Sequence, residues 1–277
     1  MTISNTKTLA NGVEMPRIGY GTFRMKDHDV AYKGVSQALQ LGYRHIDTAA
    51  IYENEEAVGR AIKDANIARE ELFVTTKVWN SDQGYDQTLK AFETSLQKLG
   101  LDYVDLYLIH WPKSTMKETY RALERLYEKK LIRVPGVSNF HRHHLDELFT
   151  SCHVKPMVNQ IEVHPSLSQV DLRAYCTQHD IAVTSWAPLG TGIVFSHPII
   201  KRLAAKYEKT PAQIILRWQL EVGNIAIPKS VTKERLEENL QLFDFALTAN
   251  EVAEVATLNT FHRTSLNPDD GYINPNF

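Results

Sequence analysis

The sequence predicts an α/β fold: a closed (β/α)8 TIM barrel with an N-terminal β-hairpin and an extra C-terminal helix and tail. Eight short apolar segments of strand character alternate with helical segments along the 277 residues. Such alternation implies right-handed crossovers and a parallel sheet, and eight units in about 250 residues match the size of a closed barrel. No linker rich in Gly, Ser or Pro divides the chain, so we expect a single domain over residues 1–277.

The N-terminal region predicts a lid on one end of the domain and then the first barrel strand. Asn11-Gly12 lies between two short apolar pieces in residues 8–15, which is a hairpin signal. Residues 18–23 form a short strand that ends in a glycine turn. The alternative fold, an open doubly wound sheet, usually has a GxGxxG turn after its first strand. Here residues 19–24 read Gly-Tyr-Gly-Thr-Phe-Arg, without the third glycine, which favours the barrel.

The other seven strands and their helices follow in order. The strands are short and apolar, and are predicted at 43–47, 72–77, 104–110, 132–137, 158–161, 181–186 and 224–227. The helices have apolar residues at helical spacing, and are predicted at 29–41, 55–66, 83–99, 115–129, 144–151, 169–179, 199–207, 212–221 and 234–242. A helix at 248–258 and a tail rich in Pro, Asn and Asp complete the chain. Pro135 removes one strand hydrogen bond, which puts the strand at 132–137 in question.

Composition narrows the class of protein. The net charge is −2 and the Lys and Arg residues are dispersed, whereas a nucleic-acid surface needs clustered basic charge. Cys152 and Cys176 are the only cysteines and form no CxxC pair, so we expect reduced thiols in a reducing compartment. There is no signal-peptide core and no apolar run long enough to span a membrane. We therefore expect a soluble, cytoplasmic monomer with no nucleic-acid or membrane partner.

Residues 44–59 predict a strand end, a short loop and a helix start. Ile46 is the last apolar strand residue, and Asp47 and Tyr52 follow in the loop. Asn54 is placed to cap the next helix, whose first turn is acidic. An acid and a phenol at the C-terminal end of a strand lie where α/β enzymes place their chemistry. The simpler alternative is an Asx-turn and a packed tyrosine.

Other polar residues stand at the same ends of later strands. They are Lys77, His110, Ser138, Asn139, Gln160 and Lys229. In a barrel these strand ends converge on one rim. A lone lysine here is usually a solvated cap, and a lone histidine before Trp-Pro is usually a turn residue. The combination of Asp, Tyr, Lys and His at the ends of strands 2, 3 and 4 instead indicates a catalytic site.

The four residue types have complementary chemistry. A phenol with a pKa of about 10 holds a proton at neutral pH and can donate it, and a nearby ammonium lowers that pKa. A carboxylate paired with the ammonium keeps the lysine charged and in place. A neutral imidazole donates a hydrogen bond to a carbonyl oxygen. Together they would protonate a carbonyl oxygen while hydride reaches its carbon, and such acid catalysis contributes about 10²–10⁴-fold.

With these segments the chain resembles the aldo-keto reductase family, in its bacterial 2,5-diketogluconate reductase-like group. The segments that match its active site are Asp47-Thr48-Ala49 with Tyr52, Lys77-Val78-Trp79, and Ile109-His110-Trp111-Pro112. The segments that match its cofactor site are Gly136-Val137-Ser138-Asn139-Phe140 and Ile227-Pro228-Lys229-Ser230. The similarity extends from about residue 15 to residue 258.

The resemblance implies NADPH-dependent reduction of aldehydes, ketones or keto acids to alcohols, and no metal. By that similarity Tyr52 is the general acid and His110 orients the carbonyl group. Lys77 and Asp47 form the pair that tunes the acid. Phe23, Trp79 and Trp111 would line the substrate pocket. The link between Pro112 and the next helix is short, so we expect a rather open pocket.

The resemblance also implies a cofactor site. The nicotinamide would be held by Ser138, Asn139, Gln160 and the ring of Trp186. The pyrophosphate would lie along Pro188, Leu189 and Gly190. The 2′-phosphate would be bound by Lys229, Ser230, Val231, Thr232 and Arg235, and the adenine by Glu238 and Asn239, with Thr22 as a further contact. Cationic side chains at a helix N-terminus suit a phosphate, so we expect NADPH to be preferred and NADH to bind more weakly.

The sequence is compatible with two other functions. A non-catalytic relative could use the barrel for binding alone, since a fold does not fix a function. A phosphate-binding lyase or isomerase could use Lys77 as a Schiff-base lysine. That second alternative leaves Tyr52 and Asp47 without a role. The complete set of four residues favours the reductase.

Overall fold

A computed structural model describes residues 3–273, and for residues 271–273 only the backbone. The strands are β1 Thr6–Thr8, β2 Glu14–Pro16, β3 Tyr20–Gly21, β4 His45–Asp47, β5 Phe73–Val78, β6 Val104–Ile109, β7 Ile132–Ser138, β8 Val158–Glu162, β9 Ala182–Trp186 and β10 Ile225–Ala226. The helices are α1 His28–Gln40, α2 Glu55–Asp64, α3 Tyr85–Leu99, α4 Met116–Glu128, α5 Arg142–Phe149, α6 Val170–Gln178, α7 Pro198–Tyr207, α8 Pro211–Glu221, α9 Lys233–Leu240, α10 Ala249–Ala256 and α11 Pro268–Ile273. Single 3-10 turns lie at Ala50–Tyr52, Arg69–Glu71, Asn80–Asp82 and Gly190–Gly192.

The eight strands β3–β10 form one parallel sheet in sequence order. The sheet is curled, because one parallel bridge joins Ile18 to Ala226 at its two edges. Backbone hydrogen bonds support that bridge: Ala226 N–H donates to Arg17 O at 2.8 Å and Gly19 N–H donates to Ala226 O at 2.9 Å. Gly21 N–H donates to Pro228 O at 3.2 Å. The predicted α/β architecture is therefore confirmed as a curled, TIM-barrel-like sheet.

The N-terminal strands β1 and β2 pair antiparallel, with Thr6 opposite Pro16. Gly12 adopts a φ of +82° in the turn between them, which glycine does without strain. The hairpin covers the N-terminal end of the parallel sheet, because Leu9 and Met15 are buried in a cluster with Phe73 and Leu106 from inside the sheet.

Element ends differ from the predicted ends by a few residues, for local reasons. The helix predicted at 144–151 begins at Arg142, because the side chain of His144 in its first turn accepts at Nδ1 from the backbone N–H of His141, the N-cap residue, at 3.0 Å. The strand predicted at 224–227 is shorter, since Pro228 has no N–H to continue it. The predicted tail contains α11, and its last residues, 274–277, lie outside the described residues.

Pro135 does not interrupt its strand. β7 runs unbroken from Ile132 to Ser138, with Pro135 opposite Tyr107 of β6. The carbonyl of Pro135 accepts from Met157 N–H at 3.0 Å. The N–H of any other residue at position 135 would face the same side of β7, towards the segment just before β8. β8 begins at Val158, and its pairing with β7 begins opposite Val137, two residues after Pro135. The missing donor therefore removes no ladder hydrogen bond.

Side chains inside the curled sheet change from apolar to polar along each strand. In β6, Leu106 and Leu108 point inwards, and His110 continues the same alternation just beyond the strand. In β5, Phe73 lies at the apolar end and Lys77 at the polar end. The N-terminal ends of the strands therefore form a packed core, and the C-terminal ends form a polar rim.

Neither cysteine is paired: Cys176 is buried, and Cys152 is half-buried against the core. Among residues 3–273, no helix has the length and apolar character needed to cross a membrane.

His45 is a buried titratable group below the rim. It points inwards from β4, two residues before Asp47, and is completely buried. Its ring meets that of Phe73 edge-on, with centroids 5.1 Å apart. Gly19 makes room for it, since a Cβ there would lie 2.5 Å from His45 Nδ1. Burial lowers the pKa of His45 from 6.5 to about 4.

This histidine should make the protein acid-sensitive. The pKa of His45 is lower in the folded chain than in the unfolded chain. The folded chain is therefore at its most stable with respect to this group above pH 6.5, and it loses stability relative to the unfolded chain as the pH falls towards 4. We expect the free energy of unfolding to fall by about 3 kcal/mol from this group over that window. Denaturant unfolding of wild type and His45→Gln at several pH values measures the difference in slope. The exposed His153→Gln variant is the control and should keep the wild-type slope, whereas equal slopes in all three proteins would contradict the assignment.

Candidate active site

Five polar side chains point into the rim from five neighbouring strands. Asp47 ends β4, Lys77 lies near the end of β5, and His110 directly follows β6. Ser138 ends β7 and Gln160 lies in β8. All five are buried. The period-two alternation of a strand places each of them on the inner face, as the sequence predicted for the barrel rim.

A buried ion pair lies at the centre of the rim. Lys77 Nζ donates to Asp47 Oδ1 at 2.6 Å and to Thr48 O at 2.8 Å. Gln160 Nε2 donates to the other oxygen, Asp47 Oδ2, at 2.6 Å. Burial lowers the pKa of Lys77, and the charge of Asp47 opposes that shift. Asp47 is the last residue of β4, where the predicted strand 43–47 also ends, and not a residue of the following loop; this position fixes it against β5.

Tyr52 stands beside this pair, in the 3-10 turn after β4. The Nζ atom of Lys77 lies 5.1 Å from the centroid of its ring. The ring centroids of Tyr52 and His110 are 5.7 Å apart. Burial and the charge of Asp47 raise the pKa of Tyr52 well above its ordinary value. The expected lowering by Lys77 is therefore not seen in this structure, because Asp47 neutralises that lysine and adds its own repulsion of a phenolate.

His110 is neutral. Burial, followed by the positive charge of Lys77, lowers its pKa well below 6.5. Its Nδ1 atom is buried and has no hydrogen-bond partner within the described part of the chain. The Trp79 ring packs edge-on against it at 5.1 Å. A neutral imidazole of this kind has one N–H to donate and one nitrogen to accept.

Asn54 has a different role from the predicted one. It occupies the N-cap position of α2, but its side chain makes no capping hydrogen bond. Its Oδ1 accepts from the Thr48 hydroxyl at 2.7 Å, and its Nδ2 donates to Thr22 O at 3.0 Å and Met25 O at 3.2 Å. Asn54 therefore ties the loop after β3 to the loop that holds Tyr52. An asparagine before two glutamates is typical of a helix cap, so no local pattern indicates this long-range role.

The residues expected around a nicotinamide are close together on the next three strands. The Ser138 hydroxyl donates to Gln160 O at 2.8 Å. Asn139 has a left-handed backbone conformation with a φ of +64°. Its side chain is directed towards β6, where Nδ2 donates to His110 O at 2.9 Å. Trp186 Nε1–H donates to Asn139 Oδ1 at 2.9 Å, which fixes the plane of the indole. Gln160 joins this group to Asp47.

The loop after β9 contains Pro188, Leu189 and Gly190. Gly190 has a φ of +52°, and a Cβ there would lie 2.8 Å from the ring of His164. The loop therefore passes close to the end of β8, and a side chain at this position would be strained. Thr22 lies at the opposite edge of the sheet, where its hydroxyl donates to Asp47 O at 3.1 Å.

The residues expected at the adenosine end lie in the link after β10 and in α9: Lys229, Ser230, Val231 and Thr232 in the link, and Arg235, Glu238 and Asn239 in the helix. The link adjoins the first strand of the parallel sheet, because Tyr20 OH donates to Ser230 O at 2.8 Å. Lys229 and Arg235 are exposed, and neither forms an ion pair within residues 3–273. Glu238 accepts a hydrogen bond from the Thr210 hydroxyl, and Asn239 is buried.

The expected pocket aromatics differ in exposure. Phe23 is 55% exposed, and its ring centroid lies 5.1 Å from that of Tyr52. Trp79 is half-buried against His110. Trp111 is buried, and its carbonyl accepts from Gln83 Nε2 at 2.8 Å. Phe23 thus packs beside the ring of Tyr52, and Trp79 beside the ring of His110.

A C-terminal segment also reaches the rim, which the sequence did not predict. Thr264 donates from its N–H at 2.6 Å and from its hydroxyl at 2.5 Å to Glu162 Oε1 at the end of β8. The N–H groups of Thr260 and His262 both donate to Ser166 O. A region rich in Pro, Asn and Asp has no periodic pattern that would reveal such contacts.

The model of the Aldo/keto reductase family matches residues 17–260. The chain belongs to the aldo/keto reductase family. It is therefore an oxidoreductase, and the resemblance seen in the sequence is confirmed.

Three relatives illustrate this membership of the aldo/keto reductases. The chain is 50% identical to glyoxal reductase of Bacillus subtilis over 269 residues, which are 97% of this chain and 98% of the relative. It is 48% identical to methylglyoxal reductase DkgA of Yersinia pestis over 274 residues, which are 97% and 98% of the two chains. The crystal structure of a Bombyx mori aldo-keto reductase in complex with NADP superposes with a TM-score of 0.93 at 37% identity, covering 98% of each chain.

The role of Asn54 can be tested by its removal. Asn54→Ala leaves two buried groups, the Met25 carbonyl and the Thr48 hydroxyl, without their Asn54 partner, and each unpaired group costs about 1–3 kcal/mol. We expect the free energy of unfolding to fall by about 2–4 kcal/mol in denaturant unfolding. The exposed Asn250→Ala variant of α10 is the control and should change little. A similar, small effect from both variants would show that Asn54 does not hold the loops together.

Proposed function

We propose that the protein reduces aldehydes, ketones or keto acids to alcohols with NADPH, by hydride transfer with Tyr52 as the general acid. The observation that supports this most strongly is the grouping of Tyr52, His110 and the buried Asp47–Lys77 pair at one rim. The names of the two bacterial relatives point to small dicarbonyl compounds as a substrate class. The proposed substrates therefore include glyoxal and methylglyoxal.

The reaction adds a hydride to the carbonyl carbon and a proton to its oxygen. Reduced nicotinamide, when bound, supplies the hydride. The Tyr52 hydroxyl donates the proton, and its raised pKa keeps it protonated until a carbonyl oxygen with growing negative charge accepts it. The Lys77 ammonium, whose Nζ lies 5.1 Å from the centroid of the Tyr52 ring, offsets part of the repulsion between Asp47 and the phenolate that remains.

His110 orients the substrate. Because the ring is neutral, it donates one hydrogen bond to the carbonyl oxygen and does not compete as an acid. Its position between Trp79 and Tyr52 holds the ring edge-on to both neighbours.

The residues present fit the proposed cofactor. At the nicotinamide end, the amide of Gln160 donates through Nε2 to Asp47, which leaves its Oε1 to accept from a carboxamide. At the adenosine end, the exposed Lys229 and Arg235 lie beside the first turn of α9, where a phosphate is favoured. The structural relative from Bombyx mori was solved with NADP. NADPH is the preferred cofactor in this proposal, and NADH binds more weakly.

We also infer that the curled sheet closes as a (β/α)8 barrel and that the chain forms one domain. The bridge from Ile18 to Ala226 and its neighbouring backbone hydrogen bonds support closure. The continuous buried clusters inside and outside the sheet support one domain. The monomeric state and the cytoplasmic location stay predictions.

The proposed substrate class is tested by following NADPH absorbance with a panel of aldehydes, ketones and keto acids that includes glyoxal and methylglyoxal. We expect turnover with at least the small dicarbonyl compounds, whose reactive carbons are accessible through an open pocket. Absence of NADPH oxidation across the whole panel would reject the proposal.

The general acid is tested by Tyr52→Phe, which removes the transferable proton and leaves the ring. We expect kcat to fall by about 10²–10⁴-fold while NADPH binding, measured by fluorescence titration, is retained. Tyr32→Phe is the control, because the Tyr32 hydroxyl donates to Asp64 at 3.0 Å on the helical exterior. Wild-type turnover by Tyr52→Phe would remove Tyr52 from the mechanism.

The cofactor preference is tested by Arg235→Ala. A guanidinium binds a phosphate through two charge-assisted hydrogen bonds worth roughly 1.5–3 kcal/mol, so NADPH affinity should fall by about ten- to a hundredfold. NADH affinity should hardly change, because NADH lacks that phosphate. Lys233→Ala is the control, since Lys233 already faces Glu237 at 3.7 Å. Equal weakening of both cofactors would mean that Arg235 supports α9 and does not contact the phosphate.

A further inference from the structure

A group of metal-ligating side chains lies outside the rim, at the start of α5. His141 is the N-cap residue of this helix, His143 and His144 lie in its first turn, and Asp269 comes from α11. One ligand atom from each of the four lies within 4.8 Å of the others. Among residues 3–273 no other group of three or more such side chains is found. The site is accessible, because the side chains of His143 and Asp269 are 62% and 42% exposed.

The spacing of the ligand atoms fits a small tetrahedral ion. Asp269 Oδ1 lies 2.9 Å from His141 Nδ1 and 3.2 Å from His143 Nε2. Zinc bonds to imidazole nitrogen and carboxylate oxygen are about 2.0–2.2 Å long, so neighbouring ligands in a tetrahedron lie roughly 3.3 Å apart. The two measured distances therefore need only small shifts. Two histidines and a carboxylate, with water in the fourth position, form an open zinc site of a known type.

The hydrogen bonds of the cluster decide which atoms are available. His144 Nδ1 accepts from the backbone N–H of His141 at 3.0 Å, so a neutral His144 has its proton on Nε2 and serves as the helix cap. His141 Nε2 lies 3.1 Å from Arg263 Nη2. If His141 bound a metal through Nδ1, its proton would move to Nε2 and would face this guanidinium. Arg263 therefore competes with a metal ion, by its charge and by its hydrogen bond.

We propose that His141, His143 and Asp269 bind one Zn²⁺ ion, which joins α11 to the start of α5. The ion would replace the hydrogen bond between His141 and Asp269 by two metal–ligand bonds. The junction lies close to the rim, since α5 begins shortly after Asn139 and the C-terminal segment is held to Glu162 through Thr264. Zinc would thereby stabilise the C-terminal segment against the sheet. Reduction at the rim does not require the ion.

Equilibrium dialysis of the full chain against zinc chloride, with metal analysis of the protein, tests this site. We expect one zinc ion per chain, and affinity at least tenfold weaker in His143→Gln and in Asp269→Asn, each of which removes one ligand from an exposed position. Arg263→Gln should bind zinc roughly tenfold more tightly, because the cation that faces the far nitrogen of His141 is removed. Saturating zinc should raise the Tm of wild type by roughly 5 °C, and that of His143→Gln by much less.

His153→Gln is the matched control, since His153 is an exposed histidine that lies outside the cluster. It should bind zinc as wild type does. Zinc affinity that is unchanged in His143→Gln and Asp269→Asn, or that is lost in His153→Gln, would overturn the proposal and place the metal elsewhere. The absence of saturable zinc binding by wild type would also overturn it. The outcome is independent of the proposed reduction, because His143 and Asp269 do not contact the reacting groups.

Discussion

The buried ion pair between Lys77 and Asp47 is the constraint on which the rim depends. Two charges taken out of water cost several kcal/mol each, and only close contact with further hydrogen bonds offsets that cost. Here both carboxylate oxygens are used, one by Lys77 and one by Gln160, and Lys77 also donates to Thr48 O. Removing one partner of such a pair typically costs about 3–5 kcal/mol. The pair therefore fixes β4, β5 and β8 relative to one another as well as the site.

The location of this pair follows from the parallel architecture. The strands β3–β10 all run in the same direction, so inward side chains form layers, with Phe73 and Leu106 at one end and Lys77 and His110 at the other. The apolar layers supply the burial that stabilises the fold. The polar layer can then hold a charged pair without water, because the layers below it and the loops around it are packed.

The sequence predicted the strands, most helices and the grouping of Asp47, Tyr52, Lys77 and His110, because these depend on local periodicity and on a shared strand direction. It did not predict the role of Asn54, which bonds to residues about thirty positions away. It also gave the wrong direction for the pKa of Tyr52, because burial and the closeness of Asp47 depend on three-dimensional distances. The contact of Thr264 with Glu162 joins residues 102 positions apart and has no local signal.

Gln160 links the proposed cofactor site to the ion pair through one side chain. Its Nε2 donates to Asp47, so a nicotinamide carboxamide bound at Oε1 would polarise the amide and strengthen the hydrogen bond to that carboxylate. A stronger hydrogen bond from Gln160 neutralises more of the negative charge of Asp47, so that Asp47 repels a Tyr52 phenolate less. Coupling of this kind is reciprocal for binding free energies. On the proposed function, cofactor binding would therefore lower the raised pKa of Tyr52 and prepare the acid before the carbonyl substrate arrives.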